Sequence, residues 1–206
     1  MATHWCKTLE EWRVLFDGWL HLPRPAALLD AAIFFDFRAV AGTLSLEPLE
    51  EIITTARNQK SFLAQLLNDA MRFHPPLGFF NLLRRENGGV DLKKGGIGPI
   101  VGLARCAALA AGSRERSTQE RLRVAGVSGA VLSAPSARDF SEIFPLFFRL
   151  RLRSQLAELK ANRQPSPIVT LTELSTLERR HLKEAFVLVK NVQEQLRIDW
   201  QLSRLG

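Results

Sequence analysis

Apolar residues along this chain recur at helical spacing. Trp5, Trp12 and Trp19 fall seven residues apart with Leu9 and Phe16 between them, one stripe on a first helix that Pro23 and Pro25 stop. A second apolar stretch, "AALLDAAIFFDFRAVAG", begins as a helix and closes at Gly42. Ser45 is suited to cap a third helix in which Pro48 falls near the first turn. The stripe continues through Leu49, Ile52, Ile53 and Ala56, then Phe62, Leu66, Leu67, Ala70 and Phe73, until "HPP" breaks it.

Residues 75–96, with prolines, glycines and "ENGG", read as a long connection, and a helix of small residues follows over 97–111. Ser117 and Glu120 stand at capping-box spacing before a short helix, and "VSGAVLSAPSA" reads as a linker. A long helix is predicted over 139–161, ended by "NRQPSPI"; the last begins at a second capping-box pair, Ser175 and Glu178. "FRLRLRS" alternates like a strand, but Phe144, Phe148, Leu152, Leu156 and Leu159 occupy one helical sector around it. Helix wins there. With no run of strands, the pattern predicts an all-α fold over 1–206: an antiparallel helical bundle, a four-helix-bundle-like core with additional short helices.

Composition narrows the class. Hydrophobic residues at 46% and charged residues at 24% suit a globular domain and argue against disorder. No apolar run approaches the roughly 20 residues that span a bilayer, and no secretory segment opens the chain. The two cysteines, Cys6 and Cys106, make neither a disulfide framework nor a zinc site. These features predict a cytoplasmic protein without membrane contact. The net charge of +7 is uneven: residues 114–163 hold ten Lys/Arg against five Asp/Glu. Such a segment can face phosphates, an acidic protein or water.

Candidate chemistry begins with "VDLKKGGIGPIVGLAR". A Walker loop needs its lysine after the glycines and a hydroxyl residue next to it; here Lys93 and Lys94 precede Gly95, Gly96 and Gly98, and no Ser or Thr follows. A dinucleotide loop needs a leading strand that this pattern does not predict. Glycines beside a helix start and two lysines still fit a simple anion site, or a turn with solvated charges. The four histidines are scattered, and neither HExxH nor CxxC occurs, so nucleophilic and metal catalysis have no support and no metal site is expected.

Polar residues on apolar helix faces carry more information. With Phe148 taken as the centre of its face, at about 100° per residue, Leu152 and Leu159 fall close to it, and so do Gln155 and Arg151. Arg149 and Arg153 point away. Arg105 sits amid Ile97, Val101, Ala104 and Ala108 on the preceding apolar helix. An inward guanidinium needs a carboxylate, carbonyls or a bound anion. Asp36 or Asp91 would serve as structural partners; a wet cleft holding phosphate or carboxylate is the functional alternative.

"IFFDFRAVAG", "VDLKKGGIGPIVGLARCAAL", "STQERL", "RLRSQ" and "LSTLERRHLKEAF", in that order, resemble the putative nucleotidyltransferase substrate-binding domain, over nearly the whole chain from Trp5 to Trp200. The resemblance implies a helical module of bacterial signal-transduction proteins that carry cyclic-nucleotide-binding or CBS modules and a catalytic domain related to the PII-protein uridylyltransferase. The catalytic signature, Gly-Ser followed by Asp-x-Asp, is missing from this sequence. The chain is therefore expected to be the non-catalytic substrate-binding part, with nucleoside triphosphate and Mg confined to a partner catalytic domain in the same or a separate chain.

On this reading Asp36, Arg38, Asp91, Lys93, Arg105, Thr118, Arg121, Arg151 and Gln155 are expected around one basic cleft that presents an acceptor protein or a nucleotide. A protein-docking module, using the basic segment 114–163 to hold the catalytic domain, is the alternative. Nucleic-acid binding ranks last, because aromatics are not interleaved with the basic residues.

Overall fold

The structure is a computed structural model and describes residues 3–84 and 88–202. Among these, eight α-helices carry the fold, with one two-stranded sheet. The all-α expectation holds. Helix α1 (Leu9–His21) starts at a capping box in which Thr8 and Glu11 satisfy each other's backbone N–H groups. Helix α2 (Pro25–Phe34) has its proline at the first turn, where no N–H is needed. The stripe predicted from Leu49 to Phe73 divides into α3 (Glu47–Thr55), a single tight turn (Ala56–Asn58) and α4 (Lys60–Ala70). Leu46 rather than Ser45 occupies the N-cap of α3, although Ser45 Oγ accepts from the Glu47 N–H at 3.4 Å.

The connection after "HPP" contains a strand that periodicity does not reveal. β1 (Gly89–Asp91) pairs antiparallel with β2 (Ile168–Thr170), Val90 opposite Val169 and Asp91 opposite Ile168. Three residues each are too few to show alternation, and β1 is buried on both faces. A π-helical turn (Lys93–Ile97) then leads into α5 (Gly98–Ala110), the Gly98 N–H donating to the Lys93 carbonyl five residues back.

Helices α5, α6 (Thr118–Ser128), α7 (Ala134–Lys160) and α8 (Thr176–Asp199) pack in sequence, with α4 on the far side of α5. Ser117 does occupy the N-cap of α6, but the expected capping box does not form; Glu120 turns to Arg123 instead, at 2.8 Å. The box at Ser175 and Glu178 does form. The predicted linker shrinks to five residues, 129–133, because α7 starts at Ala134 under a Ser133 cap and runs unbroken through Pro145. Pro145 has no N–H to give the Ser141 carbonyl, and the Gln119 side chain on α6 supplies the donor at 3.2 Å. The orphaned acceptor is satisfied from the neighbouring helix.

The core is continuous. Trp12, Phe16, Trp19, Phe34 and Phe35 form an aromatic cluster under α1 and α2, with Trp12 and Phe34 rings 5.1 Å apart. Phe147 of α7 meets Phe186 of α8 at 5.1 Å in the other half. Gly95 and Gly96 sit against this second half: a Cβ on Gly95 would lie 2.5 Å from Pro76 Cδ and 3.3 Å from the Phe186 ring, and one on Gly96 2.8 Å from the Phe147 ring. The two glycines are there because the backbone is gripped from both sides.

Candidate functional site

Two groups of the expected residues lie in different places. The first gathers on Asp36, just past the end of α2. Arg105 on α5 donates to its Oδ2 at 2.7 Å, and Arg121 on α6 donates to both of its oxygens, to Oδ2 at 3.4 Å. Arg121, only 5% exposed, also donates Nε–H to the Glu115 carbonyl at 2.7 Å. Burial alone would push the Asp36 carboxyl up; hydrogen bonds from Arg121 and Arg105 outweigh it and hold the group below its ordinary value. Asp36 therefore stays ionised, and one carboxylate pins three elements.

Much of the basic segment is spent the same way. Arg114 donates to Glu47 at 2.8 Å and Glu50 at 3.0 Å; Arg116 reaches Glu50 at 3.2 Å and stands over the Phe37 ring. Arg123 pairs with Glu120, and Arg153 with Glu178 at 2.5 Å. Only a crevice of about 10 Å³, room for one water, remains beside Arg121.

The second group lies where β1 meets α5. Asp91, 9% exposed, accepts from the Lys94 N–H at 2.9 Å, so the start of this helical segment already holds an anion from its own chain. Asp91 also lines a cleft of about 610 Å³, walled by Pro75, Pro76 and Leu77 and ringed by Arg72, His74, Arg84 and Lys94. Arg72 has an exposed contact with Asp69 at 3.3 Å, a weak tie at such exposure. The Arg84 and Lys94 side chains make no hydrogen bond or ion pair among the described residues. Lys93, the residue before Lys94, is exposed and does not line the cleft. Among the described residues no three His, Cys, Asp or Glu side chains come together as a metal site, and no helix is long and apolar enough to cross a membrane.

The remaining expected residues take other positions. Arg38 is exposed and without a side-chain partner among the described residues; Thr118 opens α6. Gln155 donates to the Ser166 carbonyl at 3.4 Å, beside β2, and Arg151 lies one turn beyond Phe147 with its Nε buried and unpartnered among the described residues. The nine thus line no common cavity among the described residues: Asp36, Arg105 and Arg121 form one network, and Asp91 and Lys93 stand at the start of α5.

The face of α7 needs correction. Sequence periodicity centres the inward face on Phe148 with Leu152 and Leu159; the structure buries Ala137, Phe140, Ile143, Phe147, Leu150 and Ser154. Leu152, Leu156 and Leu159 remain more than half exposed, at 55%, 56% and 55%. α7 is apolar on two faces, and the ring of Phe147 docks on Gly96, which selects the other one. Lys94 was legible as part of a possible anion site, but Arg72, His74 and Arg84 went unnoticed as its companions, because the Leu77–Leu83 bridge and the β1–β2 pairing bring them to it.

A family model described as "Putative nucleotidyltransferase substrate binding domain" matches residues 60–199. The chain belongs to this family. The match covers α4 to α8 and includes the cleft, Arg105 and Arg121, whereas Asp36 reaches in from outside it. This substrate-binding domain matches no curated protein and no solved structure.

Proposed function

We propose that this nucleotidyltransferase substrate-binding domain holds an anionic substrate, a nucleotide or an acidic acceptor, in the cleft between "HPP" and the start of α5. It does so for a catalytic domain, related to the protein uridylyltransferases, that supplies the nucleoside triphosphate, the Mg and the transfer chemistry. The observation that carries this reading is the cleft's cationic ring, Arg72, Arg84 and Lys94 with His74, around an apolar wall, set against one lining carboxylate, Asp91, that already accepts from the Lys94 N–H. Arginine offers paired N–H donors to phosphate or carboxylate, and lysine a compact charge. Asp91 fixes the backbone that carries Lys93 and Lys94 by capping it. The Asp36 network acts at a distance, holding α5 and α6 in place.

Titration calorimetry of the whole chain with UTP, ATP, pyrophosphate and an oligoglutamate peptide tests the reading. Arg84→Ala combined with Lys94→Ala is expected to weaken the best of these ligands at least tenfold, while thermal unfolding stays within a few degrees because both side chains are exposed. Equal affinity in the double variant, or no binding of any probe to the unaltered protein, overturns it.

A further inference from the structure

The 27-residue helix α7 has a second apolar face that starts at Phe148, half-buried against the core, and continues into leucines that lie more than half exposed. Phe148, Leu152, Leu156 and Leu159 recur at intervals of four, four and three along its C-terminal half. That spacing makes a straight seam along one side of a helix. Pro145, Phe148, Leu152 and Leu156 line an open groove of about 670 Å³ there, with Arg149 and Lys160 at its rim. Three adjacent leucines each more than half exposed form a contiguous patch rather than scattered surface residues. The rim is one-sided in charge: Arg149, Arg153 and Lys160 border the groove and no acidic residue does. Arg153 is occupied by Glu178; Arg149 and Lys160 have no ion-pair partner among the described residues.

We propose that this stripe receives an acidic amphipathic helix of the nucleotidyltransferase that the domain serves. The inference rests on the family reading for the existence of that partner, and on charge for its chemistry. A helix laid along the groove buries its own apolar face on Leu152, Leu156 and Leu159 and brings flanking carboxylates to Arg149 and Lys160. A second copy of this chain fits poorly. Two α7 helices packed antiparallel across a two-fold axis would set Arg149 of one against Lys160 of the other, like charge on like. The surface is separate from the cleft beside Asp91, with no lining residue in common, so substrate capture and partner docking use different faces.

The test uses the full chain and two synthetic helical peptides with the same leucine seam, one flanked by glutamates and one by lysines. Fluorescence anisotropy is expected to show binding of the glutamate peptide, at least tenfold tighter than the lysine peptide and weakened by added salt. Leu152→Glu with Leu156→Glu should abolish it, and Arg149→Glu with Lys160→Glu should invert the preference toward the lysine peptide. Arg84→Ala with Lys94→Ala should leave peptide binding unchanged, so loss of the cleft function and loss of docking are read separately. Indifference to peptide charge, or unaltered binding after the leucine changes, overturns the proposal. So does light scattering that finds a dimer of the unaltered chain dispersed by Leu152→Glu, since the occupant is then a second copy.

Discussion

Asp36 carries two guanidinium groups that reach it from two different helices, and its removal strands both. Asp36→Ala is expected to destabilise the protein by about 3 kcal/mol, because an uncompensated buried cation costs more than the intact pair returns. Denaturant unfolding at neutral pH measures it. Asp36→Asn adds a pH signature. The carboxyl is held below its ordinary value in the fold, so its ionisation stabilises the native state above about pH 4 and that contribution disappears as acid protonates it. The stability gap between Asp36→Asn and the unaltered protein should therefore shrink on going from pH 7 toward pH 3. Cysteine offers a second check: burial pushes the Cys106 thiol up to about 12, while Cys6 is exposed. A thiol reagent should modify one cysteine in the native protein and two after unfolding.

Among the elements, the start of α5 is the most tightly constrained. Gly96→Ala sets a methyl group against the Phe147 ring and is expected to cost about 1–3 kcal/mol by thermal or denaturant unfolding, although alanine is the better helix former. This also shows what the sequence could and could not disclose. Helices announce themselves by period, and all the long ones were legible; the capping pair Ser175 and Glu178 marked the start of α8. The glycine-lysine stretch suggested an anion site, and Arg105 was legible as an inward polar residue, with Asp36 one of two carboxylates offered as its partner. The choice between two apolar faces of α7 was not legible, since periodicity counts apolar residues without knowing which will meet a partner. The β1–β2 pair joins residues far apart in the chain, and the ring of Arg72, His74, Arg84 and Lys94 depends on an irregular bend of the connection, Leu77 bridged to Leu83; no apolar period encodes either.

At the scale of the whole molecule, part of the positive charge is neutralised within the fold. Arg105, Arg114, Arg116, Arg121, Arg123 and Arg153 each face a carboxylate, which takes these six guanidinium groups away from a nucleic-acid backbone. Gel shift with duplex DNA at about 0.15 M salt is expected to show no complex. The pairings also fasten residues 3–58 to the part matched by the family: Glu47 and Glu50 to Arg114, Glu50 to Arg116, and Asp36 to Arg105 and Arg121. Finally, the Ser141 carbonyl finds its donor on a different helix, in the amide of Gln119. A proline midway along α7 would otherwise be a natural fracture point, so the two halves of that rod are soldered by their neighbour. α6 and α7 should consequently open together: in native-state hydrogen exchange their slowest amides would share one opening energy, and Gln119→Leu would let the segment around Pro145 exchange ahead of the rest.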